Sequence, residues 1–132
     1  MASLETLTGL TASQLRGRSR ITLCKGLSEF PKELFELAET LEILEASDNC
    51  FERLPDEFAT LHRLKAVFFN NNAFRTFPTV LKACPNLSVI SFKGNHIAEI
   101  EEGVLSTAVR WLVMTNNQLT HLPADIGKLT QL

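Results

Sequence analysis

Residues 41–55 read Leu41-Glu42-Ile43-Leu44-Glu45-Ala46-Ser47-Asp48-Asn49-Cys50-Phe51-Glu52-Arg53-Leu54-Pro55. Leu41, Leu44, Ala46, Phe51 and Leu54 are apolar, and Asn49 stands between the third and the fourth of them. The arrangement returns as Leu64-x-x-Val67-x-Phe69-x-x-Asn72-x-Phe74-x-x-Phe77-Pro78, as Leu87-x-x-Ile90-x-Phe92-x-x-Asn95-x-Ile97-x-x-Ile100, and as Val109-x-x-Leu112-x-Met114-x-x-Asn117-x-Leu119-x-x-Leu122-Pro123. The starts Leu41, Leu64, Leu87 and Val109 are 23, 23 and 22 residues apart, and Leu132 lies 23 further on. A second apolar set follows each phrase: Phe58 and Leu61, Leu81 and Cys84, Val104 and Leu105, Ile126 and Leu129. A degenerate copy precedes them, with Ile21 and Leu23, then Leu27, Phe30 and Pro31, and Gly26 near the place of the asparagine.

The spacing predicts a solenoid. The central L-x-L alternates with period two, as a strand does, so its apolar residues point one way and the intervening residues the other. One such strand cannot bury its apolar side alone; parallel strands stacked about 4.8 Å apart share one interior, and five would extend about 20–25 Å. The apolar set after the asparagine returns along the opposite side, where intervals such as 54–58–61 suit a short helical or 3₁₀ turn. Pro55, Pro78 and Pro123 suit its start, because a first turn leaves its N–H groups unpaired. At the bend, backbone groups would be buried without partners, at about 1–3 kcal/mol each. An asparagine side chain both donates and accepts. Asn49, Asn72, Asn95 and Asn117 therefore read as a structural ladder joining each coil to its neighbour, with ligand binding as the alternative role. The fold class is α/β, with short parallel strands on the concave face and turns or short helical segments on the convex side.

The expected organisation is an N-terminal capping segment over 1–17, then an array over 18–132. The array divides into a degenerate repeat (18–40) and repeats 41–63, 64–86, 87–108 and 109–131. Leu4, Leu7, Leu10 and Leu15 recur at loose helical intervals, which predicts one short helix over residues 3–16 covering the first coil. Leu132 occupies the first position of a further repeat with no polar cap after it, so the chain reads as a fragment truncated at its C-terminus.

The composition agrees with a folded chain. Of 132 residues, 45% are apolar and 21% charged, with 21 leucines and no tyrosine. Thirteen basic against 15 acidic residues give a net charge of −2, which argues against a nucleic-acid or anionic-membrane surface. No stretch approaches the roughly 18 apolar residues of a membrane span. Met1-Ala2-Ser3-Leu4-Glu5 has neither a basic leader nor an apolar core, against a cleaved secretion signal. Cys24, Cys50 and Cys84 cannot all pair within the chain, so a reduced, cytoplasmic setting is expected. Neither they nor His62, His96 and His121 have metal-ligand spacing. No metal, cofactor or catalytic residue is expected.

Residues 18–132 resemble an intracellular leucine-rich-repeat array. The segment Cys24-Lys25-Gly26-Leu27-Ser28-Glu29-Phe30-Pro31, with Leu37-Ala38-Glu39-Thr40-Leu41-Glu42-Ile43-Leu44, is similar to bacterial leucine-rich-repeat proteins in which a longer array can precede a protein-kinase-like domain. That resemblance implies a recognition or regulatory role for the array. No Gly-rich phosphate loop or catalytic-loop motif occurs in this chain, so no kinase residue is carried onto any position.

The residues between the strand leucines form columns on the concave face. One reads Arg20, Ile43, Ala66, Val89, Trp111; the next reads Thr22, Glu45, Phe68, Ser91, Val113; the third reads Cys24, Ser47, Asn70, Lys93, Thr115. The core does not need Ile43, Phe68, Val89, Trp111 and Val113. Bordered by Glu45, Lys93 and Arg20, and joined by Ser91 as a further candidate, they form a candidate partner-binding patch. Cross-strand packing alone also favours β-branched and aromatic residues, and this alternative stays open. Arg16, Arg18 and Arg20 read as a solvated junction or a dock for an acidic partner. Glu99, Glu101 and Glu102 read as a solvated convex surface or a site for a cation or a basic partner. The functional expectation is a non-enzymatic module binding a protein on its concave face. The alternatives are the recognition part of a larger kinase and a structural array that self-associates through its uncapped C-terminal end.

Overall fold

The computed structural model describes residues 4–130 and 132. Residues 1–3 of the expected capping segment and Gln131 of the last repeat lie outside the described residues. Two short helices come first, α1 (Leu4–Thr8) and α2 (Ala12–Leu15). Strands β1 (Arg20–Thr22), β2 (Ile43–Glu45), β3 (Ala66–Phe68), β4 (Val89–Ser91) and β5 (Trp111–Val113) follow, and among the described residues they form one sheet in chain order. Every neighbouring pair is parallel, and the register aligns Arg20, Ile43, Ala66, Val89 and Trp111 in one row. The architecture is a leucine-rich-repeat solenoid.

The return path contains 3₁₀ turns at Lys32–Leu37, Asp56–Thr60, Thr79–Ala83 and Ala124–Lys128. Each follows a proline (Pro31, Pro55, Pro78 or Pro123) in extended conformation. That proline contributes its carbonyl, which accepts from Leu34, Phe58, Leu81 and Ile126 N–H respectively. The coil of residues 87–108 has Glu101 where a proline would stand and forms no such turn. Its chain passes through Gly103 at φ +79°, and Val104 and Leu105 enter the core there.

One apolar interior runs the length of the described chain. Leu44, Val67 and Ile90 are buried on successive strands, as are Ala46, Phe69 and Phe92 two residues on. Phenylalanine rings link the coils: Phe30 stacks on Phe51 with centroids 3.9 Å apart, Phe69 stacks on Phe92 at 5.3 Å, and Phe74 meets Phe92 edge-on at 5.1 Å. Ring pairs of this kind add about 0.5–1.5 kcal/mol beyond their area.

The asparagines lie at the bends. Asn72 Nδ2 donates to Ala46 O of the preceding coil (3.0 Å) and to Phe69 O of its own (3.1 Å), while its Oδ1 accepts from Phe51 N–H (3.0 Å). Asn95 repeats this with Phe69 O, Phe92 O and Phe74 N–H, and Asn117 with Phe92 O, Met114 O and Ile97 N–H. Asn49 Nδ2 donates to Leu23 O and Ala46 O, and its Oδ1 accepts from Lys25 and Leu27 N–H. The first coil, with Gly26 in the asparagine's place, thus has its bend bonded from the second. The residue before each asparagine is left-handed: Asp48, Asn71 and Asn116 have φ of 58°, 56° and 56°, and Gly94 has 75°. Glycine suits position 94 for a second reason, because a Cβ there would run into Asn71 Oδ1.

At the N-terminus the single expected helix is two. The chain turns at Gly9 with φ +74°, and Thr11 starts α2 with a capping box. Thr11 Oγ1 accepts from Gln14 N–H, and Gln14 Oε1 accepts from Thr11 N–H. Leu4 and Leu15, one from each helix, are buried in the common core, and Glu33 Oε1 accepts from Leu4 N–H at 3.1 Å. Gly9 and the Thr11 cap break the 3.6 period at its middle, which the loose leucine spacing concealed.

Asn72→Ala should lower the unfolding free energy by about 2 kcal/mol or more, because the buried groups that Asn72 bonds lose their partner. Asn86→Ala, which removes an exposed bond to His62 O, should change it by less than about 0.5 kcal/mol. Urea titrations followed by circular dichroism compare the two; equal effects would show that the ladder contributes nothing particular.

Candidate functional site

The concave face is the outer surface of the five strands. Trp111 is 70% exposed, and Arg20 and Lys93 are also exposed. Ile43, Glu45, Phe68, Val89 and Val113 are half-buried. Ala66 and Ser91 are buried although they point the same way as their neighbours. Register supplies the reason: Ala66 lies between Ile43 and Val89, and Ser91 between Phe68 and Val113, so each small side chain is flanked by two larger ones. The face is therefore an apolar ridge with two depressions in it.

Polar groups beside the strands are held by one another. Ser91 Oγ donates to Asn70 Oδ1 at 2.5 Å, and the same oxygen accepts from Lys93 N–H at 3.1 Å. Asn70 was not singled out in the sequence, yet it fixes the backbone that carries Lys93. Its only sequence signal is its column, shared with Lys93. Glu45 Oε1 accepts from Ser47 N–H at 3.0 Å, and Asn71 Nδ2 donates to Asp48 Oδ1 at 3.1 Å. Ser47 Oγ is buried without a partner among the described residues. Eight of the nine phenylalanines take part in the ring contacts of the core; Phe68, on the concave face, is the ninth.

Among the described residues, no three His, Cys, Asp or Glu side chains are placed to hold a metal ion. His62 faces Glu39 at 3.5 Å and His121 bonds Thr120, while His96 is exposed. The cysteines are free thiols; Cys50 is exposed and Cys24 half-buried. Cys84 is fully buried, with its thiol directed at Phe58 O, and burial pushes its pKa up to about 11. The Cys24 pKa is also raised, first by burial and then by the charges of Glu45 and Asp48. Glu99, Glu101 and Glu102 are exposed on the convex side. No helix among the described residues is long and apolar enough to cross a membrane.

No family model matches the chain. Individual proteins do. It is 28% identical over 107 residues to a leucine-rich repeat and calponin homology domain-containing protein of Drosophila melanogaster, covering 80% of this chain and 13% of that protein. It is 29% identical over 110 residues to plant intracellular Ras-group-related LRR protein 8 of Oryza sativa subsp. japonica, covering 80% of this chain and 29% of that one. Among solved structures, a leucine-rich-repeat protein of Leptospira interrogans superposes with a TM-score of 0.69 at 27% identity, over 86% of this chain and 29% of that chain. A chain of the Drosophila melanogaster SNF/U2A′ complex superposes with a TM-score of 0.57 at 23% identity, over 76% and 59%, a likeness of fold alone. The chain thus shares leucine-rich-repeat homology with the Drosophila and rice proteins and spans under a third of their lengths. Arrays of this kind generally mediate protein–protein interaction.

The thiols give a direct check of the packing. Because Cys84 holds its proton more tightly folded than unfolded, its contribution is complete below the ordinary thiol pKa of 9.0 and is lost as pH rises toward about 11. Between those values the unfolding free energy should fall by up to about 2–3 kcal/mol. Cys84→Ala should flatten that fall in pH-dependent urea titrations. In native protein a thiol reagent should modify Cys50 rapidly and Cys84 only on unfolding; equal rates would contradict the buried placement.

Proposed function

We propose that the chain is a non-enzymatic protein-binding module whose partner docks on the concave strand face. The observation that carries this reading is the apolar ridge of Ile43, Phe68, Val89, Val113 and Trp111, which the interior does not use. Phe68 stands apart from a core that interlocks the other phenylalanines. Three-residue strands in strict register hold these side chains at fixed intervals, so little ordering remains to oppose binding. The ridge supplies desolvation, and Glu45 and Lys93 at its margin supply orientation and steering. The partner is a protein with an apolar strip and charges complementary to these two residues. Exposed Arg20 and Lys93 are balanced on this face by Glu45 and Asp48, a charge balance that supports a protein partner over a nucleic acid.

Pull-down with the intact chain and with the Phe68→Ala/Trp111→Ala form tests the proposal. A species retained by the first should be lost from the second, and Trp111→Ala alone should weaken its binding by about 2 kcal/mol, or roughly 30-fold in Kd. Circular dichroism should stay unchanged. Equal recovery of every species by both forms would defeat the proposal, and loss of folded signal in Trp111→Ala would assign that residue to structure.

A further inference from the structure

Strand β1 borders the sheet, with β2 on its paired side. Ser19 O accepts from Ile43 N–H, and Leu23 N–H donates to Glu45 O. Successive residues of a parallel strand bond to alternate sides, so Ile21 bonds to β2 and the N–H and C=O groups of Arg20 and Thr22 point away from it. Helices α1 and α2 precede β1 and pack Leu4 and Leu15 into the core. They cover the apolar interior but bond to neither the Arg20 nor the Thr22 main chain. Two donors and two acceptors therefore stand in a row without partners among the described residues.

Positive charge borders this edge. Arg18, Arg20 and Thr22 are exposed, and neither arginine forms an ion pair among the described residues. Thr8, Leu10, Arg18, Arg20, Ile21 and Thr22 line a hollow of about 230 Å³ beside the strand. A second hollow of about 450 Å³ shares Arg18 and Arg20 with it and extends past Ser19 to Arg16 and Gln14. Arg16 also lines a hollow with Glu5, Glu33 and Glu36, so Arg18 and Arg20 carry the charge open to a partner. Half-buried Leu10 makes one wall of the first hollow apolar.

We propose that the outer edge of β1 binds an extended acidic peptide segment of a partner protein, which pairs with the Arg20 and Thr22 main chain and sets its carboxylates against Arg18 and Arg20. This site is separate from the concave ridge and does not rest on it. The main-chain groups select the class of occupant. A row of alternating donors and acceptors matches another polypeptide backbone, and main-chain bonds of this kind supply affinity while flanking hollows read alternate side chains. A phosphodiester backbone would meet the arginines but has no donor for the Arg20 and Thr22 carbonyls. Charge selects against a second copy, because pairing two β1 edges would bring the arginines of both together. An apolar side chain between the acidic ones would meet Leu10.

The test adds an acetylated, amidated peptide of alternating glutamate and valine to the intact chain and reads amide exchange residue by residue. Exchange at Arg20 and Thr22 should slow by about tenfold or more, while Ile21, already bonded to β2, should not change. The fully N-methylated peptide should give no such protection, and neither should a peptide with lysine in place of glutamate. Arg18→Glu/Arg20→Glu should weaken the binding by about tenfold or more, with circular dichroism unchanged. Absence of binding at about 1 mM peptide, a weak limit for a specific contact, would overturn the proposal. So would bound peptide without slowing at Arg20 and Thr22, or equal affinity of the N-methylated form. An oligodeoxythymidylate that binds as tightly as the peptide would assign the arginines to nucleic acid instead. An unliganded chain that sediments as a dimer with Arg20 and Thr22 already protected would make a second copy the occupant, and would overturn the proposal as well.

Discussion

Among the described residues no strand exceeds three residues, and none can bury its apolar face alone. The constraint on which everything depends is that adjacent coils must share both an interior and their backbone hydrogen bonds. The asparagine amide meets the second requirement where the strand geometry ends. It reaches back to a carbonyl of the preceding coil, closes its own bend, and accepts an N–H that would otherwise be buried and unpaired. The rings meet the first, since Phe30 stacks on Phe51 and Phe69 on Phe92 across coil boundaries.

The proposed function rests on the side left over. Once the inward residues are fixed in register, the outward ones are fixed too, and the chain presents Ile43, Phe68, Val89, Val113 and Trp111 on a rigid surface. On the reading proposed above, this rigid row serves recognition, with its side chains held at fixed intervals along the strands. Trp111 occupies a double position. It ends the concave row and also lines an apolar groove of about 500 Å³ with Leu112, Met114, Leu122, Ile126 and Leu132.

Much of the fold was legible in the sequence because its determinants are periodic. The steps of 23, 23 and 22 residues and the L-x-L alternation place the strands, and the observed register aligns the columns read from them. Pro31, Pro55, Pro78 and Pro123 mark the 3₁₀ turns, and the coil with Glu101 in their place lacks one. What the sequence concealed depends on neighbours in space. Ala66 and Ser91 belong to outward columns yet are buried, because larger side chains stand on either side across the sheet. The split of the N-terminal helix at Gly9 is a local event that four loosely spaced leucines mask. The role of Asn70 in holding Ser91 and Lys93 is visible only once the coils are stacked.

Parallel stacking with one shared interior is most directly tested by nuclear Overhauser contacts in solution. The account requires backbone contacts between Leu44 and Val67, between Val67 and Ile90, and between Ile90 and Leu112, in parallel register. It also requires ring contacts joining Phe30 to Phe51 and Phe69 to Phe92. Antiparallel cross-strand contacts, or apolar residues clustered only within their own repeat, would contradict it.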